Sequence, residues 1–396
     1  MDKVLSSFDK LKSYIEKEQF KGWDPYDGLN SRIFQALPFK HWDLARLAWI
    51  QFFKRSPFNF RKLLMVPKAY NAKGLGLLLT AYSNLHQIKT THPGALPYTL
   101  EALEKQIHFL AKQLIDLKVT GYSGSCWGYN FDWQARRLFL FPRNTPNVVT
   151  TYFAFYGLLK AYEVTREKDY LETALGAAKF VLNDLNRTPT ADGFLFSYSP
   201  LNGNNTVYNA SLLGSKLLSH CYHYTQNETF KEAARASVQA CLTAQNKDGA
   251  WPYGALPVQQ WIDSFHTGYN LDALMAYREY CHDTSVDSSI QSGLDFYLRS
   301  FFSDEGNPSY YHNQRYPIDI HCPAQLFVSL SRTQAFKKNQ LLATKVMDWT
   351  LKHMQHKKGY FFYQLKKGVS SKIPYMRWSN AFMMYAMSYY LKESLK

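Results

Sequence analysis

The stretch WIDSFHTGYNLDALMAYREY, residues 261–280, decides how this sequence is read. Its second half carries apolar residues at spacings of three and four, the signature of a helix with a buried face. Its first turn gathers Asp263, His266, Tyr269 and Asn270, side chains able to move protons and hydrogen-bond a ligand. N-capping accounts for an Asp ahead of a helix but not for the His or the Tyr, so the question is whether other helices begin in this way.

Several do. More apolar helical segments start at Gly74 (GLGLLLTAYSNLHQ), Asn147 (NVVTTYFAFYGLLKAY), Tyr208 (YNASLLGSKLLSHCYHY), Ile318 (IDIHCPAQLFVSLSRT) and Arg377 (RWSNAFMMYAMSYYLKE). Charged, one-sided helical segments such as DYLETALGAAKFVLNDL and ETFKEAARASVQACLTAQ lie between them and read as outer helices. The period is regular: Asn147, Asn209, His266, His321 and Asn380 follow one another at intervals of 62, 57, 55 and 59 residues. A Gly followed by aromatics precedes most inner helices, as in DGFLFSYSP, DGAWPYG, EGNPSYYHNQRYP and KGYFFYQL, a composition that favours short β-hairpins.

Six inner helices alternating with outer ones at this period predict an all-α fold, an (α/α)6 toroid with short β-hairpin loops at its mouth. Residues 1–35 are expected as an N-terminal helix and clasp, the clasp being GWDPYDGLNS, and residues 36–396 as a single toroid. The outer helix preceding Gly74 is expected in FKHWDLARLAWIQFFKR. In such a ring all inner helices begin at one end, so their first turns converge on one cavity. The clusters Asn144/Asn147/Thr150, Asn205/Tyr208/Asn209, Asp319/His321/Gln325 and Arg377/Asn380 then join that of residues 261–270.

This pattern resembles the (α/α)6-toroid group of carbohydrate-active proteins. The group includes N-acylglucosamine 2-epimerase-like enzymes, unsaturated-glucuronyl hydrolases, and the helical domains of heparinase-type lyases and glucuronyl C5-epimerases. The helical repeat over nearly the whole chain and aromatic loops such as GAWPYG, residues 249–254, carry the resemblance. No catalytic motif is matched residue by residue, so the resemblance implies sugar chemistry without assigning roles.

Composition narrows the partners. Forty-six Lys and Arg against 31 Asp and Glu give +15, without the dense basic run of a nucleic-acid tail. A diffuse positive field suits an anionic substrate, or peripheral contact with an anionic membrane. Aromatics reach 16%, many beside Gly, Pro and Asn, where rings can stack on sugar faces. Five scattered Cys without a CxxC motif, no apolar run of membrane-spanning length and no secretory leader point to a cytoplasmic protein. No phosphate-binding glycine loop or metal-ligand spacing is present, so no cofactor or metal is expected. Oligomeric state is not readable from these features.

Asp263, His266, Asp319 and His321 are the expected catalytic groups. Paired carboxylates, Asp263 with Asp319 or Asp132, would serve glycoside hydrolysis. A His or Tyr base, with Arg, Asn or a second His steadying an enolate, would serve uronate β-elimination or C5 epimerisation. The residue mixture suits the latter better. CWGYNFDWQARR, residues 126–137, reads as a binding loop, with Trp127, Tyr129, Asp132 and Arg136 among its contacts. Asn147, Tyr208, Asn209, Trp251, Tyr253, Tyr269, Tyr311, Arg315, Arg377 and Asn380 complete the expected substrate contacts. The expected function is therefore lyase, C5-epimerase or hydrolase action on a uronate-containing oligo- or polysaccharide, as in surface polysaccharide biosynthesis. A non-catalytic glycan- or protein-binding toroid is the alternative.

Overall fold

The computed structural model describes residues 2–134 and 140–396. Its helices are α1 (Asp2–Lys17), α2 (Arg32–Ala36), α3 (Asp43–Arg55), α4 (Ala72–Thr91), α5 (Leu100–Asp116), α6 (Val148–Thr165), α7 (Lys168–Leu175) and α8 (Ala177–Asn183). There follow α9 (Tyr208–Thr225), α10 (Glu228–Leu242), α11 (Ser264–Cys281), α12 (Asp287–Phe301), α13 (His321–Arg332), α14 (Gln340–Met354) and α15 (Phe382–Glu393). A π-helical turn, Met376–Ala381, leads into α15.

The inner helices α4, α6, α9, α11, α13 and α15 each pack on the next, and α15 packs back on α4 to close the ring. Their side chains are buried on nearly every face; α6 is buried continuously from Val148 to Leu159. An outer helix covers each seam and buries one stripe, as α5 does with Leu103, Ile107, Leu110, Ala111 and Leu114. The inner/outer distinction made from apolar density therefore holds.

The sixth outer helix differs from expectation. It is α1, whose Val4, Phe8, Leu11 and Ile15 enter the same core as the inner helices. The N-terminal helix is thus part of the ring and not a separate element ahead of residue 36. The segment 39–55 instead forms α3, which packs on the turn Asp27–Asn30 and on β1 (Trp133–Gln134). With Leu29, Phe34 and Ile50 it builds a small second core. Both α1 and α3 carry an apolar stripe, and periodicity alone does not say which one closes a ring.

The expected hairpins are only partly realised. Among the described residues one longer ladder forms, β3 (Arg187–Thr190) against β4 (Gly193–Phe196). Two-residue pairs join β1 to β2 (Leu140–Phe141), and β5 (Ile318–Asp319) to β6 (Gln364–Leu365). Elsewhere single bridges suffice, such as Val207 with Gly254 and Gln355 with Phe361.

The recurring glycine has a second cause beyond turn formation. Gly249 has φ +95°, and a Cβ there would lie 2.2 Å from the Ser292 carbonyl oxygen of α12. Gly359, at φ +97°, stands in the same relation to Lys10 of α1. In each case the loop leaving one outer helix lies backbone to backbone on the next. Gly359 thereby identifies α1 as the outer helix that follows α14.

Candidate active site

The first turns of the inner helices meet at one end of the ring. Asp263 caps α11 by accepting the His266 amide at 3.0 Å. Its other oxygen meets His266 Nδ1 at 2.7 Å and accepts the Trp261 indole N–H at 3.1 Å. Cap and orienter are thus one carboxylate, which explains the Asp-x-x-His spacing: a side chain three residues on stands over the cap. With Nδ1 engaged, Nε2 is the nitrogen left for chemistry. The His266 side chain keeps 21% of its exposure, and the Tyr253 and Phe265 rings lie 4.8 and 4.0 Å from its own.

His321 lies on the next inner helix, and its ring also touches Phe265, at 5.1 Å, with Trp378 and Phe382 each at 4.2 Å. It is buried, and neither ring nitrogen has a partner among the described residues. Burial, with the charges of Lys73, Arg377 and His266, holds its pKa well below the usual imidazole value, so the ring is neutral and retains one N–H donor. Asp319 positions this helix start. It accepts the His321 amide at 3.0 Å, the Trp378 indole N–H at 2.8 Å and the Gln364 amide at 3.2 Å. Burial nevertheless outweighs these donors and raises its carboxyl to about 7.

Two basic side chains complete the cluster. Arg377 lies over the Tyr129 and Trp378 rings and is gripped by Asp24 through Nε at 2.5 Å and Nη2 at 2.8 Å. Lys73, in the first turn of α4, donates to the Tyr269 hydroxyl at 3.2 Å. Its Nζ sits 4.5 Å from the Phe153 ring and 5.7 Å from that of Phe382, with no ion-pair partner among the described residues. Burial and the Arg377 charge hold its pKa well below that of a free lysine, opposed only by the Asp24 charge.

The expected site residues divide clearly. Asp263, His266, His321, Tyr253, Tyr269, Tyr129 and Arg377 come together, with Tyr129 bonded to the Tyr198 hydroxyl at 2.9 Å. Asp319 is adjacent, spent on positioning. Asn147 caps α6, accepting the Thr150 amide at 2.8 Å. The side-chain nitrogens of Asn147 and Asn209 are buried without partners among the described residues. The Tyr311 backbone pairs with Asp263 at the rim.

Others belong elsewhere. Trp127 and Trp251 are buried, and their indoles donate to Leu114 and Cys241 carbonyls at the ends of outer helices α5 and α10. They are parallel helix-end plugs, not sugar platforms. Asn380 is consumed by backbone, accepting the Phe361 amide and donating to the Tyr375 carbonyl. Tyr208 lies toward Cys241 of α10, Asp132 braces its hairpin through the Arg143 amide, and Arg315 is exposed on a loop tip beside Tyr316. Arg136 lies outside the described residues.

The sequence reading missed Lys73 and Trp378, and placed Asp24 in a clasp, with a contribution at the mouth as its second role. A lone Lys in the first turn of an otherwise apolar inner helix is the signal that marks Lys73. Nothing local marks Asp24, which reaches Arg377 across 353 positions.

No model of a known protein family matches the chain, and no curated protein matches it in sequence. Solved structures do. A family 76 α-mannanase of Bacteroides thetaiotaomicron superposes with a TM-score of 0.59 at 14% identity, over 82% of this chain and 87% of the mannanase. A cellobiose 2-epimerase of Bacillus thermoamylovorans gives 0.62 at 11% identity, over 83% and 90%. A possible family 105 member from Salmonella enterica gives 0.55 at 15%, over 82% and 84%. At such identities the likeness is one of fold: the chain is an (α/α)6 toroid of the kind these carbohydrate-active proteins share.

Proposed function

We propose that the protein is a carbohydrate-active enzyme that removes the proton beside the carboxylate of a uronate residue in an oligo- or polysaccharide, as an epimerase or lyase. The observation that carries this reading is the Asp263–His266 pair set across Phe265 from a neutral, unpartnered His321. His266 Nε2 takes the proton, with Asp263 holding the ring and steadying the imidazolium that forms. The electron pair of the broken C–H bond moves into the adjacent carboxylate as an enolate. The His321 N–H donates to the developing oxyanion, the use to which a neutral histidine is suited.

The acidic substrate is supported by Lys73. Its charge is suppressed by burial and by Arg377, and an arriving carboxylate would restore it by direct pairing. Hydrolysis by paired carboxylates is less well supported, because Asp263 and Asp319 each already accept three hydrogen bonds. The free, buried state of all five cysteines suits a cytoplasmic setting.

The test is product analysis after incubation with a panel of uronate-containing oligosaccharides. A changed configuration without chain cleavage marks an epimerase, and ultraviolet absorbance from a new double bond marks a lyase. New reducing ends with neither signal would return the assignment to hydrolysis. Binding without any turnover would make the toroid a glycan receptor.

A further inference from the structure

Helix α3 is apolar on two faces. Ile50 and Phe53 point inward, while Leu44, Ala48, Phe52 and Arg55, spaced at four, four and three residues, form an exposed stripe. A helix apolar on both faces has a second surface to cover. The stripe continues beyond the helix, since Phe52 stacks on Phe60 at 5.5 Å, and Phe60 meets Phe58 at 6.3 Å. Trp42 and Phe58 are 68% exposed, and Leu44 and Leu63 71%. Single exposed hydrophobics are ordinary, but here Trp42, Leu44, Phe52, Phe58, Leu63 and Met65 are all exposed on one short excursion of chain.

Charge identifies the occupant. Residues 38–68 contain seven Lys or Arg and one acidic residue, Asp43; Arg46 pairs with Asp43, Arg61 with Asp27 and Lys68 with Glu18, which leaves Lys40, Lys54, Arg55 and Lys62 without an ion pair among the described residues. Arg55 is exposed at the end of the stripe, and Lys62 is exposed on the turn that follows Phe60. The loop 366–372 adds to the field: Lys366 Nζ donates to the Arg55 carbonyl at 3.2 Å, Lys367 and Lys372 follow, and Val369 is exposed at its tip. Mutual repulsion is strong enough that Arg55 and Lys54, after burial, lower the Lys366 pKa. Trp, Phe and Leu interleaved with unneutralised Lys and Arg is the composition of a helix that lies in the headgroup region of a membrane.

We propose that α3, with residues 56–65, is a docking surface for an anionic lipid bilayer. The surface lies on the mouth side of the ring. Lys54 donates to the Tyr26 hydroxyl at 2.9 Å, and the Tyr26 ring lies 5.8 Å from Trp378 of the candidate site. Docking therefore turns the mouth toward the membrane and favours glycans presented there. The proposal stands without the assigned chemistry and is tested apart from it.

The test is co-sedimentation of the full chain with vesicles of phosphatidylcholine alone, and of phosphatidylcholine with about one-third phosphatidylglycerol. The expected result is binding to the anionic vesicles only, weakened by salt. Arg55→Glu with Lys62→Glu should lower the partition by about fivefold or more per residue. Leu44→Ser with Phe52→Ser should lower it by about tenfold or more. All four side chains are exposed or end an exposed stripe, and unchanged circular dichroism and melting establish that the variants fold. Absence of binding to anionic vesicles at low ionic strength overturns the proposal, as does binding that neither pair alters. A dimer of the free chain dispersed by Leu44→Ser with Phe52→Ser, without vesicle binding, would reassign the face to self-association.

Discussion

At the scale of single residues, the site is built by giving helix-start carboxylates a second task. Asp263 caps α11 and aims His266; Asp319, two residues ahead of His321, accepts its amide and holds Trp378 beside it. Capping and side-chain positioning are therefore not alternatives at Asp263, since one carboxylate does both. The pH response of Asp319 follows from its burial. Its carboxyl is raised from 3.8 to about 7, so the folded protein keeps a proton that the unfolded chain releases. Stability from this group is intact below about pH 4 and is lost progressively as pH rises through 7. Asn at 319 keeps the two bonds made to one oxygen and carries no charge to bury. The stability of Asp319→Asn relative to the natural protein should therefore climb between about pH 4 and 7, by on the order of 2–4 kcal/mol, and then level off. Denaturant melts across that range check it, and a difference independent of pH would show that the carboxyl ionises freely.

At the scale of elements, the toroid depends on close backbone contact between each loop and the next outer helix. Gly249→Ala meets both a left-handed backbone, φ +95°, and the Ser292 carbonyl at 2.2 Å. It should cost on the order of 3 kcal/mol or more. Gly121 has nearly the same backbone, φ +89°, with nothing within 4 Å of its absent Cβ, so Gly121→Ala should cost only about 1 kcal/mol. Equal losses in melting experiments would mean that conformation alone, not helix contact, explains the repeat. The glycine positions were legible in the sequence, and so were all six inner helices, because burial on every face leaves an unbroken apolar record. Trp127 and Trp251 misled because an indole plugging a helix end and an indole facing a sugar have the same sequence neighbourhood. The exchange of roles between α1 and α3 was hidden for a related reason: a stripe tells that a helix packs, not where.

At the scale of the whole molecule, the ring is tied together across its lumen. Asp272 of α11 pairs with Lys216 of α9 at 2.5 Å and with Arg332 of α13 at 2.9 Å. Arg332 reaches the Tyr156 hydroxyl of α6, which bonds Tyr389 of α15 at 3.1 Å. Five of the six inner helices thus share one buried network, and Asp272→Ala leaves two cations inside it uncompensated. A loss of about 3–5 kcal/mol is expected, seen as a lower unfolding midpoint; an unchanged midpoint would mean that packing alone closes the ring. This network, like the Asp24–Arg377 pair, joins residues far apart in the chain. Local pattern showed which ends of the helices were polar, while partnership across the ring became visible only in three dimensions.

The central claim, that His266 takes a proton from carbon under the guidance of Asp263, meets its most direct test in solvent isotope exchange. A uronate oligosaccharide that the protein converts is incubated in deuterated water, and deuterium at the carbon beside the carboxylate is followed by NMR. His266→Ala keeps the Asp263 cap, which binds the backbone amide, so the variant should fold while exchange falls by about a hundred- to ten-thousandfold. Conversion by the natural protein without deuterium incorporation in either substrate or product, or exchange undiminished in His266→Ala, would contradict the account.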